Sequence, residues 1–153
     1  MKKLLKDRSG SMYMIVVLFM ALIGLVILIV TEIMRIHSIA SHVETELSRA
    51  VNIAVEAAMY DSWRMDKYGE LDPAVARNEF YNYLYADLGL NGSHEMHNGG
   101  DRIYRIQFTG VTTEAIPPRM EAKGTVHIRS LFSFILPETE VPFSVRSRNR
   151  RID

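Results

Sequence analysis

The residues best suited to chemistry lie in one short stretch, Asn91-Gly92-Ser93-His94-Glu95-Met96-His97-Asn98-Gly99-Gly100. Two imidazoles around a carboxylate can ligate a divalent metal. His94-Glu95-Met96-His97 is one residue short of the helical His-Glu-x-x-His spacing that sets both rings on one face beside a general base. In a stretch this rich in Gly and Asn the rings are not held on a helix face, so the expectation is a solvated loop without metal. Asn91-Gly92-Ser93 also fits a glycosylation acceptor, which matters only in a eukaryotic secretory pathway. A second candidate, the acids Asp61, Asp66, Glu70 and Asp72, gathers around a turn between helices, where capping and solvation account for them. The third is the run Arg146-Ser147-Arg148-Asn149-Arg150-Arg151. Its sharp reading is nucleic-acid contact. The plainer one is a charged end to an edge strand, which discourages edge-to-edge pairing; anionic headgroups, cell-wall acids or an acidic neighbour are a third option. There is no Gly-x-Ser-x-Gly elbow, phosphate loop or cysteine pair, so no catalytic, cofactor-binding or metal-binding residue is assigned and the chain reads as non-enzymatic.

The elements that would carry these residues are dominated by the amino end. From Met12 to Val30 the chain is apolar without interruption, and Ser9 to Thr31 holds no charge. At 1.5 Å per helical residue that run reaches roughly 28 Å, the thickness of a bilayer's hydrocarbon core. A helix in lipid satisfies its own backbone hydrogen bonds, so the segment needs no partner to sit there. Lys2, Lys3, Lys6 and Arg8 precede it against the single acid Asp7, while the residues beyond mix signs. The basic excess predicts a cytoplasmic N-terminus and an extracytoplasmic remainder. A cleaved secretory signal fits less well: the run exceeds the usual apolar region of about 7–15 residues, and the nearest small-x-small triplet, Ser38-Ile39-Ala40, lies well down a predicted helix. The expected organisation is a basic leader over 1–10, a transmembrane helix over 11–31 and one domain over 32–153. With 18 basic and 18 acidic residues the chain has no global field to mark it for nucleic acid. With no cysteine, the outer domain must hold together by packing.

Past the span the helical pattern continues. Ile33, Ile36, Ala40, Val43, Leu47, Ala50, Ala54 and Ala57 recur at steps of three and four, widened by Val51, Val55 and Ala58. No Pro precedes Pro73 and no Gly lies between Gly24 and Gly69, so one helix from about Ser11 to about Met65 is predicted. Its stripe, Ile36 to Ala57, must be covered, either by this chain's own sheet or by a helical seam against sister subunits. A second helix starts at Asp72-Pro73, turns Val75, Phe80, Leu84 and Leu88 inward, rings the rest with Tyr81, Tyr83 and Tyr85, and stops at Gly89. The tyrosines suit a binding face or a surface near lipid or neighbouring subunits. From Asp101 the period becomes two. A strand with Tyr104, Ile106 and Phe108 on one face ends at Gly110 and the Ile116-Pro117-Pro118 kink. A second runs from near Met120 to about Ile135, and Leu136 to Thr139 turns it back into a third with Val141, Phe143 and Val145, giving an antiparallel hairpin. The fold class is therefore α+β: a transmembrane helix continuing as an amphipathic one, packed on a small antiparallel sheet.

This layout resembles the type IV pilin superfamily. The basic leader with Arg8-Ser9-Gly10-Ser11, the helix starting at once and the few strands after it look most like TadE-like minor pilins, or pseudopilins, of tight-adherence pili. The resemblance implies a pilin-like fold, a cell-membrane and pilus location, and a part in pilus assembly or secretion. It implies as partners the bilayer, other pilin-like subunits or the assembly platform, and a prepilin peptidase cutting between Gly10 and Ser11. In the family a glutamate five residues into the mature chain pairs with a neighbour's terminal amine; here that position is Ile15 and the first acid is Glu32. The alternative is an unprocessed single-pass accessory subunit of a secretion or conjugation apparatus.

Overall fold

A computed structural model of the chain describes residues 8–59, 71–132 and 138–147. The elements are α1 (Arg8–Ala57), α2 (Pro73–Ala86), β1 (Glu95–Asn98), β2 (Asp101–Glu114), β3 (Arg119–Arg129) and β4 (Glu138–Arg146). The chain divides within α1 into one unit ending at His37 and a larger one beginning at Ser38.

In the first unit the described structure is helix alone. Every side chain from Met12 to Val30 is exposed, and even the least exposed large one, Ile23, shows 39% of its surface. The few polar groups are satisfied locally. The Thr31 hydroxyl donates to the Ile27 carbonyl at 2.8 Å, as a hydroxyl in an apolar helix does. Glu32 is buried beneath Arg35 one turn on, whose Nε and one terminal nitrogen reach both carboxylate oxygens at 2.9 Å. Such a two-pronged contact is the strongest form of the i,i+3 pair.

The second unit begins with the amphipathic half of α1. Val43, Leu47, Ala50, Val51 and Ala54 are fully buried, Val55 and Ala58 nearly so, and Ala40 is half-buried, as is Ile36 at the end of the first unit. Two members of the expected row are exposed instead, Ile33 and Ala57. A strict seven-residue repeat drifts by about 20° per heptad on a straight helix, so by the last turn Ala58 has replaced Ala57 on the inward face. The helix also ends at Ala57, short of the expected Met65. No local breaker stops it; the stop is tertiary. The Ala58 carbonyl accepts the Asp72 amide at 3.2 Å, and Met59 forms an antiparallel bridge with Leu71. Residues 60–70, with Asp61, Asp66, Gly69 and Glu70, lie outside the described residues.

α2 starts as its sequence predicts. Asp72 Oδ1 accepts the amides of Ala74 at 2.8 Å and Val75 at 3.2 Å, and Pro73 occupies the first helical position. Its buried row is Ala76, Phe80 and Leu84, continued by Leu88; Val75, expected inside, is 41% exposed. The row steps by four, so the small Ala76, not its larger neighbour, lies on the inward side. After Ala86 the Leu88 and Leu90 amides donate to the Tyr83 and Leu84 carbonyls while Gly89 takes φ +70°.

The sheet is an antiparallel meander in the order β1-β2-β3-β4, one strand more than expected. β1 lies in the stretch read as a loop and pairs with Asp101–Arg105 across a two-residue turn, Gly99 and Gly100, at φ +61° and +94°. Two successive positive φ values make the turn whose twist suits a hairpin. β2 does not end at Gly110: a bulge between Phe108 and Gly110 absorbs the irregularity and the strand runs on to Glu114. β3 stops at Arg129, short of Ile135, where the Ser130 hydroxyl caps the next turn through the Phe132 amide. β3 and β4 form the expected antiparallel pair, Glu121 opposite Arg146 through Arg129 opposite Glu138. The turn itself, residues 133–137, lies outside the described residues.

One face of this sheet is buried: Tyr104 and Ile106 from β2, Met120, Ala122, Val126 and Ile128 from β3, Phe143 and Val145 from β4. Gly124 stands between Phe108 and Phe143 in register, and their rings meet over it edge to face at 5.9 Å. A Cβ at Gly124 would lie 2.2 Å from the Gln107 carbonyl oxygen, so no larger residue fits. The C-terminal half of α1, the inward row of α2 and this face form the core of the unit. Tyr83 of α2 crosses to α1, donating to Glu46 at 2.8 Å. Burial and the Glu46 carboxylate hold the Tyr83 hydroxyl above the usual tyrosine range. The architecture is α+β, a long apolar N-terminal helix and a small antiparallel sheet.

Candidate functional site

Two surfaces stand apart from this core. The first is α1 between Met12 and Val30, a helix long and apolar enough to cross a membrane, exposed on every side. Gly10 and Ser11 lie in its first turn, and Ile15 is 63% exposed. The helix carries no acid in its first turn. Its C-terminal continuation brings together, of the expected packing stripe, Val43, Leu47, Ala50 and Ala54 as buried residues, with Ile36 and Ala40 half-covered and Ala57 exposed.

The second surface is built by the turn that joins α2 to the sheet. Asn91 organises it: its side-chain oxygen accepts the amides of Ser93 and Glu95, each at 2.9 Å, and its own amide donates to the Glu95 carbonyl at 3.1 Å. This local turn carries His94 at φ +56°, whose carbonyl accepts the Ile106 amide at 2.9 Å and so fixes the residue against β2. The imidazole lies against Tyr81 and Tyr85, both with centroids at 5.9 Å and rings nearly parallel, and meets Phe108 edge to face at 5.3 Å. The Tyr85 hydroxyl lies 3.2 Å from His94 Nε2. Tyr81 and Tyr85, one helical turn apart on α2, stack on each other at 6.3 Å.

His97 is turned to other company. Its Nε2 lies 3.9 Å from Glu95, the acid that also takes Arg102 at 3.2 Å and the Asn91 side chain at 3.4 Å. These donors, Arg102 first, hold the Glu95 carboxyl below the usual carboxylate range. Arg102 bonds Glu138 on β4 as well, Arg129 reaches Asp101 at 3.1 Å, and His127 stands 3.5 Å from Glu140 and 3.8 Å from Glu138. The result is a strip of paired charges across the outer face of all four strands. The structure thus separates the two histidines the sequence set side by side: His94 belongs to an aromatic stack and His97 to an ion-pair strip. Among the described residues no three His, Asp or Glu side chains converge as metal ligands do.

Of the arginine tail, Arg146 ends β4 and Ser147 continues the pairing, its hydroxyl accepting the Met120 amide at 3.0 Å. Arg148, Arg150 and Arg151 lie outside the described residues. Sequence reasoning noted the tyrosines but missed that His94 and Phe108 complete their cluster, and that Arg105 borders it. The i,i+4 spacing of Tyr81 and Tyr85 was a legible signal; the approach of β2 was not.

No known protein family, curated protein or solved structure matches this chain.

Proposed function

We propose that this chain is a non-enzymatic, single-span surface subunit that acts as a minor pilin or pseudopilin in the assembly of a tight-adherence or type IV-like pilus or a related secretion system. The observation that carries this reading is the helix itself: from Met12 to Val30 it is apolar on all sides and covered on none, while the residues beyond build a separate domain. A bilayer satisfies such a surface in the stored subunit, and equivalent helices of neighbouring subunits satisfy it after assembly, so transfer between the two states need not be costly. Met12, Met14, Met20 and Gly24 suit a surface whose packing partners change. The excess of Lys and Arg ahead of the span supports a cytoplasmic N-terminus with the sheet domain outside.

A second reading rests on a specific observation. Ile15 stands where the resembled family has its pairing glutamate, and the first acid of the helix, Glu32, already has both oxygens on Arg35. These features favour an unprocessed accessory subunit that remains in the membrane. Mass spectrometry of membranes and of sheared surface material separates the readings. A chain beginning at Ser11 and recovered in the sheared fraction supports the pilin role, and an intact Met1 terminus confined to membranes supports the accessory subunit. Release of the protein by an alkaline carbonate wash overturns both.

A further inference from the structure

We infer that Asn98, at the tip of the β1–β2 hairpin, is a self-modification site: its side-chain amide becomes a carboxylate by cyclisation onto the Gly99 nitrogen, and the product loosens the hairpin. The sequence holds two Asn-Gly pairs, Asn91-Gly92 and Asn98-Gly99. A glycine after asparagine leaves the attacking backbone nitrogen unscreened by a side chain, so by sequence the two pairs are equally reactive. The structure separates them. Asn91 Oδ1 accepts the Ser93 and Glu95 amides, each at 2.9 Å, and its Nδ2 donates to Glu95 Oε2 at 3.4 Å. These contacts must break before Asn91 Cγ can turn onto the Gly92 nitrogen. The Asn98 side chain is exposed and has no hydrogen-bond or ion-pair partner among the described residues. Gly99 and Gly100 are exposed as well, at φ +61° and +94°, and no Cβ resists rotation of the main chain there. Asn98 also ends a four-residue strand that is outermost in the order β1-β2-β3-β4, a place where local opening is easiest.

The chemistry needs only water. The Gly99 nitrogen, having given its proton to hydroxide, bonds to Asn98 Cγ; the Cγ–Nδ2 bond breaks, and Nδ2 leaves as ammonia with a proton returned by water. A second water then opens the cyclic imide. Attack at Cγ restores the main chain beside a side-chain carboxylate, whereas attack at the Asn98 main-chain carbonyl routes the backbone through Cγ and lengthens it by a methylene. The net change takes up one water and releases one ammonia, with nothing oxidised or reduced. Either product sets a carboxylate opposite Asp101, the register partner of Asn98. Like charges directly opposite destabilise a strand pair, and the lengthened backbone also shifts β1 against β2.

The test incubates the full chain in detergent micelles in mildly alkaline buffer and follows it by peptide mapping with mass spectrometry. The expected result is a gain of about 1 Da in the peptide carrying position 98, or about 3 Da in heavy-oxygen water, at a rate about tenfold or more above that at Asn91. In denaturant the two rates are expected to agree within about threefold, because the bonds that hold Asn91 are gone. Asn98→Gln is expected to remove the gain. Asn98→Asp, which sets the carboxylate there directly, is expected to speed hydrogen exchange of the β1 amides about two- to fivefold, with the near-ultraviolet dichroism of the stacked tyrosines unchanged. Equal rates at the two asparagines in the folded protein overturn the proposal. So does a position 98 that stays unmodified in the folded protein while the denatured chain reacts fully, or an Asn98→Asp variant whose β1 amides exchange as the parent's do.

Discussion

Between Met12 and Val30 the side chains of α1 are exposed all round, whereas from Val43 to Ala58 they alternate between fully buried and exposed at helical spacing. The backbone of both stretches is one α-helix. The difference lies in what satisfies the side chains. An all-apolar cylinder has no preferred face and suits a solvent that is apolar in every direction; a stripe of Val43, Leu47, Ala50 and Ala54 beside Glu44, Thr45 and Arg49 demands protein on one side and water on the other. Only the second stretch contributes to the folded core of the larger unit.

The contrast is broken most sharply in the first stretch. Leu22→Arg combined with Val26→Arg places two guanidinium groups mid-span, at about 2.5–3.5 kcal/mol each for a helix centre. The double variant is expected to lose membrane insertion, seen as its appearance in the soluble fraction after carbonate extraction. Retention of the double variant in membranes would remove the basis for the contrast.

The same comparison is sharpened by trimming one leucine in each stretch. Leu47 is fully buried and Leu22 is 59% exposed. Leu47→Ala is expected to lower the stability of the larger unit by about 2–5 kcal/mol, because the cavity adds to the lost transfer energy. Leu22→Ala is expected to change it by less than about 0.5 kcal/mol. Denaturant titration of the protein in micelles, followed by tyrosine near-ultraviolet dichroism, measures both.

A smaller effect belongs to the boundary after α1. Asp72 caps α2 through two amides, and Asp72→Ala is expected to cost about 1 kcal/mol in the same titration, with Asp72→Asn close to the parent. The smallest concerns pH. Because Glu95 has a depressed folded-state pKa, its stabilising contribution is present at neutral pH and is lost as pH falls through that lowered value. The Asn91–Asn98 turn is therefore expected to loosen in acid, with a decline in the Tyr81–Tyr85–His94 dichroic signal as the pH drops below the usual carboxylate range. Glu95→Gln is expected to abolish that step.

Several elements were legible because their signals are local. Asp72-Pro73 announces a helix start through a side-chain acceptor and a missing amide, and both act within three residues. The alternation of Val126, Ile128, Phe143 and Val145 announces the β3–β4 pair. Elsewhere the local reading failed for a nameable reason. Asn98-Gly99-Gly100-Asp101 is a hairpin turn, but the short, polar β1 looks like loop until β2 lies beside it. Gly110 reads as a stop, yet a bulge carries the strand through it. The helix end at Ala57 has no local mark at all, since the groups that end it come from Leu71 and Asp72.

The candidate site divides in the same way. His94 and His97 are three residues apart in the chain, and that proximity suggested shared chemistry. A positive φ at His94 and a register shift between Met96 and His97 send the two side chains to different neighbours. Residue order alone dictated the apolar cylinder, the amphipathic row and the helix cap, because each depends on side chains within a turn or two of one another. Which member of that row lies inside at its last turn, where α1 stops, and that Tyr81, Tyr85, His94 and Phe108 meet in one cluster were decided by packing, since those outcomes depend on contacts between segments far apart along the chain.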